Sequence, residues 1–160
     1  MTLALGMDPG TATTGFGLVR LLPDGGLVAV EFGVFTTPRD LPPAQRLLLL
    51  HRQVSDLLHL HRPDTAAVEK LFFQRNITTA MAVGQARGVI LLALAQAGVG
   101  IFEYTPNEVK QAVAGYGSAD KRQVQEMVRA LLGLATIPQP DDAADALAIA
   151  ITHLHTHRYE

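Results

Sequence analysis

The chain has 160 residues, of which 48% are hydrophobic and 18% charged, and its formal net charge is −2. This length predicts one domain, residues 1–160, with a sizeable core, and the weak negative charge argues against a general nucleic-acid coat protein. Cysteine is absent, which excludes disulfides and thiolate chemistry and fits a reducing cytoplasm. A cationic secretion leader is missing, and the longest apolar run, residues 89–95, is too short for a bilayer. We therefore expect a soluble, cytoplasmic protein with no membrane partner.

The N-terminal part predicts three consecutive strands. Residues 3–8 read as a buried strand and are followed by a Gly-Thr turn at residues 9–15. Two further strands, at 16–22 and 27–37, flank Pro23-Asp24-Gly25-Gly26, which is a strong hairpin signal. The chain therefore opens with three antiparallel strands.

The rest of the chain alternates between helices and strands. The pattern predicts a helix from Pro42 or Pro43 to about His61, a strand at 65–69, a helix at 78–97, a strand at 99–104, and helices beginning at Pro106, Asp120 and Asp142. This order predicts an α/β fold with a mixed sheet, three antiparallel strands followed by two parallel ones, flanked by helices.

Four carboxylates stand at the ends of otherwise apolar elements. Asp8 and Glu69 each close a strand, whereas Asp142 and Asp145 open the last helix. Because Asp and Glu are depleted in strands, carboxylates that break a strand pattern mark a functional site. If the two strands are adjacent and parallel, Asp8 and Glu69 meet at one sheet edge. Asp142 and Asp145, three residues apart on a helix, can complete the cluster.

A cluster of four carboxylates points to metal chemistry. The negative charges repel one another unless divalent cations neutralise them, and oxygen-only ligands favour Mg²⁺ or Mn²⁺. Two such ions can activate a water and stabilise the leaving oxygen in a phosphoryl displacement. Simpler roles stay open, since Asp142 can cap its helix and Asp8 can form a turn before Pro-Gly. Glu69 has neither a cap nor a turn to serve.

Several short motifs occur in a fixed order along nearly the whole chain. They are Gly6-Met7-Asp8-Pro9-Gly10 with Thr14-Gly15-Phe16-Gly17, Val68-Glu69-Lys70-Leu71-Phe72, Gly84-Gln85-Ala86-Arg87-Gly88, Val109-Lys110-Gln111, Gly117-Ser118-Ala119-Asp120-Lys121, and the segment from Asp142 to Ala150. Each motif is weak alone, but the ordered set is specific. It resembles the RuvC family of Holliday-junction resolvases.

The resemblance implies a single RuvC-type nuclease domain with a ribonuclease H-like fold, acting as a homodimer in recombination and DNA repair. It implies symmetric Mg²⁺-dependent nicking of four-way junctions at T-rich sites, leaving 5′-phosphate and 3′-hydroxyl ends. Two ions per subunit are expected, with Mn²⁺ as a possible substitute, and RuvA and RuvB are the expected partners. The family's catalytic and metal-binding carboxylates fall on Asp8, Glu69, Asp142 and Asp145. Because Asp141 directly precedes Asp142, either residue can be the third carboxylate of the set. The three-residue spacing between Asp142 and Asp145 favours Asp142.

The resemblance also assigns residues to DNA binding. Lys110 and Lys121 match two lysines near the family's active site, where each can neutralise phosphate charge. Phe72 matches a base-stacking aromatic, and Arg75 follows it in a segment that reaches toward the junction.

Two other patterns leave alternatives open. Glycine inside a helix is unfavourable by about 1 kcal/mol, so the small-residue face at Ala80, Gly84 and Gly88 predicts close packing, either on a two-fold-related copy or on the chain's own sheet. The histidines from His153 to His157 predict a basic, frayed helix end rather than a metal site.

Two rival functions come from other classes. The Asp-Pro-Gly-Thr turn also resembles the phosphate-binding hairpin of actin-like kinases, although the chain is too short for two such domains and has no second Gly-rich phosphate loop. A junction-binding module without activity is the other rival, but it does not need four carboxylates. Metal-dependent nicking separates the three functions.

Overall fold

The computed structural model describes residues 1–10, 12–70 and 77–157. Its strands are β1 (Thr2–Asp8), β2 (Thr13–Leu21), β3 (Leu27–Thr36), β4 (Thr65–Glu69) and β5 (Gly100–Tyr104). Its helices are α1 (Pro43–His61), α2 (Ile77–Gln96), α3 (Pro106–Ala114), α4 (Lys121–Leu131) and α5 (Asp141–Thr156). The predicted order of elements is confirmed.

The five strands form one mixed sheet in the order β3-β2-β1-β4-β5. β1 and β2 pair antiparallel, as do β2 and β3, whereas β4 is parallel to both β1 and β5. The pairing of Met7 with Val68 brings the carboxyl ends of β1 and β4 to the same edge of the sheet. The next residues, Asp8 and Glu69, therefore lie side by side, as the sequence predicts for adjacent parallel strands.

Helices cover both faces of the sheet. On one face, α1 and α2 pack over a core that includes the fully buried Leu5, Leu18 and Ile90. On the other face, α3, α4 and α5 cover a second core that contains Leu147 and Ile149. This alternation of side chains between two buried faces makes β1 an almost continuous apolar run, which is why Asp8 stands out at its end.

β2 begins at Thr13, three residues before the predicted start at Phe16. Thr13 pairs with Thr36 of β3, and Gly15 pairs with Asp8 of β1. Because β2 is a central strand, pairing with β1 and β3 on its two sides keeps these threonines and the glycine extended, although their local propensity favours a turn.

Helix α5 lies unusually close to the sheet. A Cβ at Gly6 would lie 2.0 Å from the carbonyl oxygen of Ala146, and one at Gly15 would lie 2.0 Å from that of Asp142. The small residues on the Asp8 face therefore make room for the backbone of α5. Their absence of side chains lets the helix approach the strands.

The end of α5 is ordered and buried at His153, so the predicted frayed turn is wrong there. His153 is fully buried, and its ring nitrogens form hydrogen bonds with Thr65 Oγ1 at 2.9 Å and Tyr104 Oη at 2.7 Å. Burial, followed by the nearby charge of His157, lowers the pKa of His153 to about 4. The neutral ring joins α5 to β4 and β5.

By length and composition alone, the part of α2 from Thr79 to Gln96 is apolar enough to cross a membrane. One such helix is weak evidence, because core helices pass the same test. In this fold α2 packs against α1 and β5.

Candidate active site

A cleft of about 610 Å³ opens where β1, β4 and the first turns of α5 meet. Its walls contain Asp8 and Glu69 from the strand ends and Asp142 and Asp145 from the helix. The structure therefore brings together all four carboxylates that the sequence selects. Strand order places the first pair, and the close approach of α5 to the sheet places the second.

Three of the four carboxylates are close enough to share a cation. One oxygen each from Asp8, Asp142 and Asp145 lies within 4.8 Å of the other two. Glu69 joins the cluster through a hydrogen bond with Asp8. The N-cap residue of α5 is Pro140, and no side chain caps the helix, so Asp142 is not the capping residue that its position also allowed.

The cluster carries more negative charge than its surroundings tolerate. Burial, followed by the charges of Glu69 and the two helix aspartates, raises the pKa of Asp8 to about 9. Burial also raises the pKa values of Glu69 and Asp145. Without a cation, Asp8 therefore keeps a proton at neutral pH and shares it in hydrogen bonds with Glu69 and Asp145.

These residues fit a hard divalent cation. Carboxylate oxygens are the ligands that Mg²⁺ and Mn²⁺ prefer, and the three aspartate oxygens already converge. The raised pKa of Asp8 is expected where carboxylates are held close together despite their mutual repulsion. A bound cation would relieve this repulsion by taking the place of the shared proton.

Lys121 and Asp141 flank the cluster. Lys121 Nζ lies 3.7 Å from Asp145 Oδ2 and 3.5 Å from Asp141 Oδ2. Burial lowers the pKa of Lys121, but the negative charges of Asp145 and Asp141 together outweigh this effect, so that its pKa is raised. Asp141 itself is exposed and also accepts a hydrogen bond from Gln125 Nε2 at 3.3 Å. It thus holds Lys121 at the cleft, and the geometry favours Asp142 as the third carboxylate.

Two further cations line the cleft and received no role from the sequence. Lys70 follows Glu69, and Arg87 reaches the cleft from α2. Arg87 Nη2 is paired with Glu103 of β5, and its Nε donates to the carbonyl oxygen of Glu69 at 3.5 Å. The motif around Gly84 contains Arg87, but only the docking of α2 against β5 shows that this side chain supports Glu69.

The predicted DNA-binding residues have different positions. Lys121 lines the cleft. Lys110 lies on α3, partly buried, and is not part of the cleft lining seen in the described ranges. Phe72 and Arg75 lie outside the described residues.

A mixed sheet with three antiparallel and two parallel strands, carrying an acidic cleft at its edge, defines the class of ribonuclease H-like nucleases. Residues 4–153 match the family model described as crossover junction endodeoxyribonuclease RuvC. The chain belongs to the RuvC family of crossover junction endodeoxyribonucleases.

Individual relatives agree with this assignment. A crossover junction endodeoxyribonuclease RuvC of Chloroflexus aggregans is 62% identical over 154 residues, covering 96% of this chain and 93% of that protein. The structure of Thermus thermophilus RuvC in complex with a Holliday junction substrate is 40% identical, with a TM-score of 0.93 and coverage of 98% and 94%. The yeast mitochondrial Holliday junction resolvase Ydc2, at 13% identity and a TM-score of 0.71, shares the fold; the alignment covers 94% of this chain and 77% of that one.

Proposed function

We propose that this chain, as a Holliday-junction resolvase of the RuvC family, cuts junction DNA by metal-assisted hydrolysis in the cleft around Asp8. The observation that carries the proposal is the convergence of Asp8, Asp142 and Asp145 oxygens within 4.8 Å, with Glu69 hydrogen-bonded to Asp8. Family membership makes the activity that of an endonuclease in homologous recombination and DNA repair. It excludes the kinase-like alternative.

The four carboxylates would hold Mg²⁺, with two ions per subunit as the expected number and Mn²⁺ as a substitute. When bound, the ions supply an activated water and stabilise charge on the phosphate. In the hydrolysis that the site would support, a water oxygen would form a bond to phosphorus and lose a proton to solvent, and the bond from phosphorus to the 3′ oxygen would break. The 3′ oxygen takes up a proton from solvent, which leaves 5′-phosphate and 3′-hydroxyl ends.

The cations of the cleft bring the polyanion to this acidic site. Lys121 reaches from α4 into the cluster and offers its charge to a phosphate oxygen once cations neutralise Asp145. Arg87 stays paired with Glu103 and holds the carboxyl end of β4, so that Glu69 keeps its direction. Lys110, Phe72 and Arg75 remain predicted contacts to the flanking DNA.

A homodimer is supported by one face of α2. Ile77, Met81 and Leu92 expose 77%, 62% and 52% of their surfaces, and a Cβ at Gly88 would meet nothing within 4 Å. Exposed apolar residues that line one helix face mark an interaction surface. Ala80, by contrast, is buried beside the cleft, so the predicted small-residue face is divided, and the part that includes Gly88 is free to meet a second copy.

The wider biology follows from the family alone. We expect cooperation with RuvA and RuvB, a preference for T-rich cut sites, and a cytoplasmic location beside the chromosome.

The test is cleavage of a synthetic four-way junction with Mg²⁺. We expect Glu69→Gln to lower the cleavage rate on the order of a thousandfold, because one carboxylate of the metal site is lost, while junction affinity in chelator changes little. A Glu69→Gln protein that cuts at more than a tenth of the wild-type rate would contradict the assignment. Glu31→Gln, which loses the same charge at an exposed position of β3 outside the cleft, is the matched control.

A further inference from the structure

A second cleft lies beside the active site, on the side of the sheet that α1 and α2 cover. It has a volume of about 190 Å³, and its lining shares Gly10 and Ala12 with the catalytic cleft. Gly10 and Ala12 therefore lie between the two clefts. A DNA strand that crosses the loop from the scissile position reaches the second cleft next.

Arg46, in the first turns of α1, is the one charged residue among the described residues that line this cleft. Its Nε donates a hydrogen bond to Thr37 Oγ1 at 3.0 Å, which fixes the plane of the guanidinium. Its Nη2 is enclosed and has no hydrogen-bond partner among the residues that the structure describes. Arginine stays charged in proteins, and a buried donor without a partner is unfavourable.

The described residues around Arg46 offer no compensating negative charge. Within the described ranges, no Asp or Glu lines the second cleft, and none forms an ion pair with Arg46. The other lining groups are the hydroxyls of Thr14 and Thr37, the amide of Gln85, and apolar side chains. Apolar walls keep the local dielectric low, so the positive field of the guanidinium extends into the cleft.

We propose that Arg46 binds a backbone phosphate of the substrate strand next to the phosphate that is cut. A phosphodiester supplies the anion that the cleft lacks, and the planar guanidinium suits phosphate oxygens. The inference rests on the proposed function, because it takes the cleaved strand to run through the Asp8 cleft. A bound phosphate on each side of the Gly10 loop fixes the strand at two points, which positions the scissile linkage over the carboxylates.

The test compares Arg46→Gln with Arg52→Gln. Arg52 is exposed on the same helix, so the two variants lose the same formal charge from one element. We expect Arg46→Gln to weaken junction affinity in chelator about tenfold and to reduce the slope of log affinity against log salt by about one unit. Arg52→Gln stays within about twofold of wild type.

A scan of the DNA identifies the phosphate. Single uncharged methylphosphonate linkages are placed one at a time on either side of the scissile linkage. We expect one neighbouring position to weaken wild-type binding about tenfold but to have no further effect on Arg46→Gln. Arg46→Lys, which keeps the charge, retains the sensitivity at that position. A wild-type scan without any such position overturns the proposal, even if Arg46→Gln fails to fold.

Two other outcomes also overturn it. Equal affinity losses in Arg46→Gln and Arg52→Gln would show a general charge effect. A weaker dimer with an unchanged salt slope in Arg46→Gln would show that a carboxylate of a second copy occupies the cleft. A wild-type protein that cuts junctions while Arg46→Gln binds them normally refutes only this inference, whereas a wild-type protein that cuts no junction refutes the proposed function.

Discussion

At the scale of single residues, Asp8 controls how the metal-free protein responds to pH. Its pKa is about 9 in the folded chain and 3.8 in a model peptide, mainly because of burial and then because of Glu69. Between these values the folded chain binds more protons than the unfolded chain, so the free energy of unfolding falls as pH rises. The raised pKa values of Glu69 and Asp145 act in the same direction.

We therefore expect Asp8→Asn to stabilise the metal-free protein, with a gain that grows from pH 5 to pH 9. At pH 8 the melting temperature should rise by about 5 °C or more. Calorimetric melting in chelator across this pH range measures the effect. Asp40→Asn, at an exposed position in the loop before α1, serves as the control, and a pH-independent difference between Asp8→Asn and wild type would contradict the shared proton.

The same proton predicts how metal affinity depends on pH. A cation that enters the cluster displaces the proton of Asp8, so binding of Mn²⁺ should tighten as pH rises from 6 toward 9. Isothermal titration in two buffers of different ionisation enthalpy measures the released proton. Binding that releases no proton at pH 7 would show that Asp8 is already ionised.

At the scale of elements, the approach of α5 to β1 determines the site. The nearest atoms to a Cβ at Gly6 would be backbone atoms, the carbonyl oxygen of Ala146 at 2.0 Å and the amide nitrogen of Ala150 at 2.8 Å. Backbone cannot rotate away as a side chain can, so Gly6→Ala must push α5 from the sheet. The helix carries Asp142 and Asp145, and the shift would separate them from Asp8.

We expect Gly6→Ala to lower the free energy of unfolding by about 3 kcal/mol or more, which corresponds to a fall in melting temperature of roughly 6–12 °C. The cleavage rate should fall by more than the loss of folded protein alone explains. Gly117→Ala is the control, since a Cβ there would meet nothing within 4 Å. Equal melting temperatures for the two variants would show that α5 adjusts without strain.

At the scale of the whole molecule, the exposed face of α2 predicts the assembly. Two cuts related by symmetry require two identical sites, and a two-fold dimer supplies them. We expect wild-type protein to sediment as a dimer at micromolar concentration. Met81→Glu should raise the dimer dissociation constant about thirtyfold or more, because it buries an unpaired charge.

Leu60→Glu provides the matched control for the dimer. Leu60 is an apolar residue of α1 with 73% of its surface exposed, outside the face that we assign to the interface. Its variant should sediment like wild type. A wild-type protein that is monomeric at micromolar concentration would contradict the assignment of the α2 face to a dimer interface.

The sequence by itself determined the elements, their order and the four carboxylates. Apolar alternation and turn residues are local signals, so they predict strands such as β1 and the helix that carries Asp142. A carboxylate at the end of a buried strand breaks such a pattern, which makes Asp8 and Glu69 visible without any structure. The start of β2 was misplaced, because pairing with two neighbouring strands outweighed the turn signals of its threonines.

Only the tertiary structure decided which side chains meet. Lys110 and Lys121 look alike in the sequence, yet Lys121 reaches the cleft and Lys110 does not line it, since α4 and α3 pack at different places against α5. Arg87 and Arg46 carry no local signal, because their partners Glu103 and Thr37 come from other elements. Distances between elements depend on strand order and on how closely helices approach the sheet, and these follow from packing of the whole chain.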